Sequence, residues 1–276
     1  MPIALVSDST SDIPLELIQK HHIHIVPNIL VINGDSFKDG EGISRDEFYR
    51  LLPEMQTQPT TATASSGTYQ ELYERLLSLG AESVLSIHTS PLLSGIFNAA
   101  SAAAHLFGGR VHVIDSGSIS LGLGFQVLAA AEAAAAGANM QSLVDLLADM
   151  RDRIRVTAML DTLEYIHRSG RVSWARARLG SLLRIKPFLE VKEGKILRLG
   201  EVRTRRNGIR RLNDLLQEAR PFERLGILHT NAEEQAAEFA AELQTYIPFP
   251  LLIVNVTTVI GTHVGPNGLG FAGIVA

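Results

Sequence analysis

Ser83-Val84-Leu85-Ser86-Ile87-His88-Thr89-Ser90-Pro91-Leu92-Leu93-Ser94-Gly95 is the stretch on which the fold reading turns. Ser83–His88 is a short apolar run of strand length, and Thr89–Gly95 is a loop of hydroxyls and small residues. Ser94–Phe107 then carries a helical pattern, and Val111–Ile114 is strand-like again before Asp115-Ser116-Gly117-Ser118. Strand, polar loop, helix, strand is the repeating unit of a parallel sheet whose crossovers are helices.

The same rhythm extends in both directions. Upstream, Ile3–Ser7 reads as a strand, and Asp12-Ile13-Pro14 starts a helix with proline in its first turn. Ile23–Ile32 reads as one strand ending at the turn signal Asn33-Gly34. Ser44-Arg45-Asp46-Glu47 is a capping box that opens a helix through Leu52. A threonine-rich loop, Thr57–Ser66, precedes a helix over Tyr69–Leu79. Downstream, helices are expected over residues 119–136 and 140–153. The second half reads as strand Arg155–Leu160, a short helix at Thr162–His167, a basic segment, and two facing strands, Ile185–Lys192 and Ile196–Arg203. Helix Gly208–Ala219, strand Leu225–His229, helix Glu233–Tyr246 and strand Leu251–Asn255 follow. The expectation is two α/β domains, residues 1–154 and 155–276, the first a Rossmann-like parallel sheet with helices on both faces.

In open α/β sheets, ligands bind at the carboxyl ends of the strands. Three hydroxyl-rich loops fall there: Ser7-Asp8-Ser9-Thr10, Thr89–Gly95 and Asp115–Ser118. Helix capping accounts for many such serines, but three at one sheet edge call for a ligand or a very polar crevice. Near the end, Gly261-Thr262-His263-Val264-Gly265-Pro266-Asn267-Gly268-Leu269-Gly270 reads as a glycine loop between strand-like runs. Its bland reading is a turn. Its functional reading is a loop around a small polar group with His263 at the rim.

Bulk properties narrow the class. The 276 residues are 46% apolar, as in an ordinary globular protein, and the absence of cysteine excludes disulfides and thiolate chemistry. The chain begins directly on a strand pattern, and its longest apolar run, Val127–Ala136, contains Glu132 and is too short for a bilayer. A cytoplasmic protein that is not an integral membrane protein is expected. Residues 1–150 hold 6 Lys/Arg against 16 Asp/Glu, and residues 151–276 hold 19 against 13. Acidity in the first half and the lack of a recognised basic motif argue against a nucleic-acid binder. His21, His22 and His24 cluster, but strand alternation sends them to different faces, so no metal site is expected.

An ordered set of segments resembles the DegV family of bacterial fatty-acid-binding proteins. The matching residues are Ser7-Asp8-Ser9-Thr10-Ser11-Asp12, Pro59-Thr60-Thr61, Ser94-Gly95, Ile114-Asp115-Ser116, Leu163-Glu164-Tyr165, Ser169-Gly170-Arg171-Val172-Ser173 and His263-Val264-Gly265-Pro266. They span nearly the whole chain. The resemblance implies a protein that holds a long-chain fatty acid between its two domains as bound ligand, with no cofactor. It implies that the carboxylate is presented to a separate ATP-dependent fatty acid kinase, whose acyl phosphate product enters phospholipid synthesis. By position, Thr60, Thr61, Ser94 with Gly95, and Ser116 belong to the ligand site. Arg171 and His263 would lie beside it, auxiliary to the partner kinase. Departures are Ala62-Thr63-Ala64 after Thr61, Ile96-Phe97 after Gly95, and Asn267 where glycine is usual.

The chemistry agrees with that assignment. Threonine and serine hydroxyls can satisfy a carboxylate that would be costly to bury alone. About fifteen methylenes at ~0.8 kcal/mol each offer roughly 12 kcal/mol gross, so the tail would supply affinity and the head orientation. The chain has no G-x-x-x-x-G-K-[ST] loop, so phosphoryl transfer is expected from the partner. The arginines from 168 to 184, with Arg203, Arg205, Arg206, Arg210 and Arg211, are either a docking face or solvated singly. The rival is a small-molecule enzyme or subunit of the dihydroxyacetone-kinase kind, using His263.

Overall fold

The computed structural model describes residues 2–172 and 185–276. Ser173 and the arginines within 173–184 lie outside the described residues. In chain order, the first half runs β1 (Ile3–Asp8), α1 (Leu15–Lys20), β2 (His24–Val26), β3 (Ile29–Ile32), β4 (Asp35–Lys38), α2 (Arg45–Leu51), β5 (Thr60–Ala62), α3 (Ser66–Ser78), β6 (Ser83–His88), α4 (Ile96–Ala104), β7 (Val111–Asp115), α5 (Leu121–Ala135) and α6 (Met140–Arg153). The second half runs β8 (Ile154–Met159), α7 (Glu164–Ser169), β9 (Lys186–Lys192), β10 (Lys195–Val202), α8 (Arg205–Ala219), β11 (Phe222–His229), α9 (Glu233–Gln244), β12 (Leu252–Asn255), α10 (Thr258–Val264) and β13 (Leu269–Val275).

The expected parallel sheet is present, with strand order β2-β1-β6-β7 and every pairing parallel. β1 is buried along its whole length, as a strand covered on both faces must be. Ala4 and Val6 point to one face, where Tyr69 and Tyr73 of α3 and Ile96 and Ala100 of α4 pack. Ile3 and Leu5 point to the other, against Leu123 and Val127 of α5 and Leu147 of α6. The Ser44 cap forms as expected, its hydroxyl accepting from the Glu47 N–H at 3.2 Å.

The second half holds a six-stranded sheet of order β10-β9-β8-β13-β11-β12, antiparallel throughout except between β11 and β12. One face is covered by α8 and α9 through Leu212, Leu216, Phe239 and Leu243. Val156, Leu228, Ala272 and Ile274 on the other face join the same apolar cluster as α5 and α6. The layers therefore stack as helices, parallel sheet, α5 and α6, second sheet, helices. This explains the apolar run near residue 130. Leu121–Ala131 of α5 is buried residue after residue because a sheet lies on each side. Among the described residues, no helix is long and apolar enough to cross a membrane.

Three expectations need correction. The run Ile23–Ile32 is two strands in two different sheets, β2 beside β1 and β3 beside β4 and β5. The break falls at Pro27-Asn28, where proline has no N–H to continue a ladder. The threonine-rich loop contains a strand, β5, which completes that small antiparallel sheet. His263 does not sit in a loop. Thr258–Val264 is helical, capped by Thr257, whose hydroxyl accepts from the Ile260 N–H at 3.4 Å.

Candidate functional site

A cavity of about 230 Å³ opens at the carboxyl edge of the parallel sheet, between it and the six-stranded sheet. Its walls are mostly aliphatic. Val156 and Ala158 of β8, Leu189 and Val191 of β9, Ile196 of β10 and Leu228 of β11 line one side. Val259, Ile260 and Val264 of α10 line another. Polar residues on the wall include Thr61, Thr63, Ser94, Arg171 and His263.

The polar end is built by β5 and α10. Alternation along β5 separates its threonines: Thr61 turns toward the cavity and Thr60 is exposed. The Thr61 hydroxyl and His263 Nε2 share a hydrogen bond of 2.9 Å. Ser94 and Gly95 sit on the wall where α4 begins, Gly95 being its cap residue. Arg171 is exposed at the mouth, and its Nη1 donates to the Ser169 carbonyl at 2.7 Å. Burial, and then the positive charge of Arg171, push the His263 pKa down from 6.5 to about 4. The imidazole is thus neutral near pH 7 and offers one donor and one acceptor.

The segment Asn255–Thr258, which leads into the first residue of α10, is clamped by the first half of the chain. Asp12 Oδ1 accepts from the Thr257 N–H at 2.8 Å, and its Oδ2 accepts from the Ser120 hydroxyl at 2.6 Å. Asp39 accepts from the Thr258 hydroxyl at 2.8 Å, and the Tyr49 hydroxyl donates to the Val256 carbonyl at 2.9 Å. Arg45 lies 3.6 Å from Asp12 and donates to the Asn255 carbonyl. Burial raises the Asp12 pKa to about 6, against the pull of Arg45. Gly261 is there for packing: a Cβ at that position would stand 2.3 Å from the Tyr49 hydroxyl.

Of the residues expected at the site, the cavity brings together Thr61, Ser94, Gly95, Arg171 and His263. Thr60 is excluded by the strand alternation. Ser116 is excluded by its own turn, in which its hydroxyl donates to the Ser118 carbonyl at 3.2 Å and accepts from the Ser118 N–H at 3.1 Å. Ser116 is buried away from the cavity wall.

A buried polar chain was not anticipated. His88 Nδ1 lies 2.9 Å from Asp8 Oδ2, and His88 Nε2 lies 2.7 Å from the Ser86 hydroxyl, itself 2.8 Å from the Tyr73 hydroxyl. Asp8 also accepts from the Thr10 N–H at 3.0 Å, from the Thr10 hydroxyl, and from Asn28 Nδ2 at 3.3 Å. Burial by itself raises the Asp8 pKa. The hydrogen bond and charge of His88, with the Thr10 bonds, outweigh burial and hold the carboxyl below its ordinary 3.8. The signal was present: Asp8 and His88 end adjacent strands, and the parallel register Val6↔Ser86 sets them side by side.

Fold and site together define an α/β protein with an apolar cavity that carries hydrogen-bonding groups on its wall. The family described as "Uncharacterised protein, DegV family" matches residues 2–275. A DegV domain-containing protein of Caldanaerobacter subterraneus is 35% identical over 273 residues, 97% of each chain. Among solved structures, a DegV family protein from Thermus thermophilus, described as fatty acid binding, superposes with TM-score 0.92 at 32% identity over 100% of both chains. DegV from Bacillus subtilis, described as a fatty acid binding protein, superposes with TM-score 0.88 at 33% identity, again over 100% of both chains. The chain belongs to the DegV family.

Proposed function

We propose that this protein binds a long-chain fatty acid in the cavity and presents its carboxylate to a separate ATP-dependent kinase, in the cytoplasm, for acyl-phosphate formation in phospholipid synthesis. The observation that carries the reading is the cavity itself, with aliphatic walls from four strands of the second sheet and the Thr61–His263 pair facing it. The relatives described as fatty acid binding support it.

In this reading the segments 1–154 and 155–276 are two domains that flank the acyl chain. The Thr61 and Ser94 hydroxyls donate to the carboxylate, and Gly95 leaves the approach beside Ser94 free of a side chain. His263, neutral and hydrogen-bonded to Thr61, orients that hydroxyl. Arg171 at the mouth serves the partner's phosphoryl-transfer step. Hydroxyl donors suit a carboxylate that must later act as nucleophile, because a bidentate arginine clamp would hold its electrons more firmly. The chain is the binding subunit, and the kinase supplies ATP and catalysis.

Native mass spectrometry of freshly purified protein, followed by organic extraction, tests this. A stoichiometric long-chain acid is expected, its length and unsaturation giving the specificity. A protein that is empty and takes up no added fatty acid would refute it and leave His263 for a small carbonyl substrate.

A further inference from the structure

The β9–β10 hairpin reaches from the second sheet to the loops of the first. Its two-residue turn, Glu193-Gly194, is left-handed at both positions, with φ of +50 and +74. Lys192, Glu193 and Lys195 are exposed around it, but Gly194 is buried. The Gly194 N–H donates to the Gly117 carbonyl, in the loop after β7, at 2.6 Å. A Cβ on Gly194 would stand 2.1 Å from Ser90 Oγ and 2.9 Å from Ser90 Cβ, in the loop after β6. Only glycine therefore lets the tip seat directly on Ser90.

Ser90 is the residue around which the Thr89–Gly95 loop is folded. It is fully buried, and its N–H donates to the Ser118 carbonyl at 3.3 Å. Its carbonyl accepts from the Leu93 N–H at 2.9 Å and from the Ser94 N–H at 3.2 Å, and its hydroxyl accepts from the Leu92 N–H at 3.4 Å. The Ser94 hydroxyl has no hydrogen-bond partner among the described residues. Its direction is set by the backbone that carries it, and that backbone is tied to Ser90. Ser90 in turn is held between Ser118 of the first half and Gly194 of the second. We infer that Gly194 is a positioning residue for Ser94: the hairpin tip fixes Ser90, and Ser90 aims the hydroxyl that receives the carboxylate. The inference rests on the fatty-acid reading above, in which Ser94 is a carboxylate donor. It gives the hairpin a second task, because Leu189 and Val191 of β9 and Ile196 of β10 already line the wall.

The test uses the full chain after lipid removal, with a bound fluorescent long-chain acid displaced by stearic acid or by methyl stearate. Gly194→Asn keeps a residue that accepts positive φ and sets a Cβ against Ser90. Its ratio of acid to ester affinity is expected to fall about five- to tenfold, the difference between a hydrogen bond to a charged group and one to a neutral group. Ser94→Ala is expected to lower the same ratio by a similar factor, and the two changes together no further than either alone. A change that only deforms the wall would weaken acid and ester equally; the inference then falls while the fatty-acid reading stands. It falls likewise if Gly194→Asn leaves the ratio unchanged, or if the two losses multiply in full. If Gly194→Asn does not fold, Ser90→Ala takes its place in the same cycle, because it removes the atom nearest that Cβ position. Its expected loss is about twofold or more, with the same refuting outcomes. If Ser94→Ala leaves the ratio untouched, Ser94 does not hold the carboxylate, and the inference falls without the reading of the tail. If stearic acid does not bind the unaltered chain, both fall together.

Discussion

Replacing Thr61 by valine removes one hydroxyl at nearly constant shape and keeps a β-branched residue in β5. The hydroxyl's partner within the protein is His263 Nε2 at 2.9 Å, and its proposed partner in the complex is the ligand carboxylate. A hydrogen bond to a charged group is worth about 1.5–3 kcal/mol, and one between neutral groups about 0.5–1.5 kcal/mol. Binding of a long-chain acid should therefore weaken roughly 12- to 150-fold. It should not vanish, because the aliphatic wall still offers roughly 12 kcal/mol gross to about fifteen methylenes. The methyl ester of the same acid sharpens the measurement. It fills the same wall but presents a neutral carbonyl, so the valine change should cost it about 1–1.5 kcal/mol less than it costs the acid. Displacement titrations of acid and ester on wild type and Thr61→Val close a four-cornered cycle that isolates the head-group term. Equal losses for acid and ester would mean that Thr61 does not touch the carboxylate, and the proposed polarity of the cavity would be wrong.

Ala158→Phe, which projects a ring from β8 into the wall, should cost a long acid more affinity than a short one in the same titration; equal loss at every length would place Ala158 off the tail's path. His263 gives a pH signature. The folded state refuses a proton that the unfolded chain takes up below about 6.5, so stability falls as pH drops from 6.5 toward about 4 and the slope ends there. Denaturant titrations across that range should show His263→Gln losing less stability than wild type, and parallel curves would deny the imidazole its neutral, buried state. Gly265 closes α10 at φ +79, and a Cβ there would meet Tyr165 Cδ2 at 2.2 Å. Gly265→Ala should therefore cost about 1–3 kcal/mol, and an unshifted unfolding midpoint would contradict the packing account.

The parallel sheet was legible because its strands are short, apolar and bounded by polar loops, with helical spacing between β6 and β7. Local pattern carries that information directly. Orientation in the second half is different. β9 and β10 were legible as facing strands, but β8, β11 and β13 are strand-like by the same local criteria and pair antiparallel, as does β8 with β9, through contacts distant in sequence. Residues 23–32 failed for a related reason. Apolar composition is continuous across Pro27-Asn28, and only the missing proline N–H marks where the chain leaves one sheet for another.

His263 stands on the cavity wall, as its sequence context suggested, but in a conformation that context did not show. Thr258, Val259, Ile260 and Thr262 are β-branched, so local propensity favours a strand or a glycine turn. The helix forms because tertiary contacts override that preference. The Thr257 cap, the Asp12 and Asp39 bonds to Thr257 and Thr258, and Gly261 against Tyr49 all come from or meet residues more than 200 positions away, apart from the cap itself. No local window contains that information. The consequence is mechanical. A histidine in a loop would find its partner through its own flexibility, whereas one in the last turn of a clamped helix is aimed by the residues that hold the helix. The 2.9 Å bond between His263 and Thr61 is therefore set at Asp12, Asp39 and Tyr49 as much as at the two residues that make it. Ser116 illustrates the opposite limit. Its sequence context matched the other hydroxyl loops, but a two-residue turn consumed its hydroxyl, and nothing in residue type separates a serine that faces a ligand from one that closes a turn.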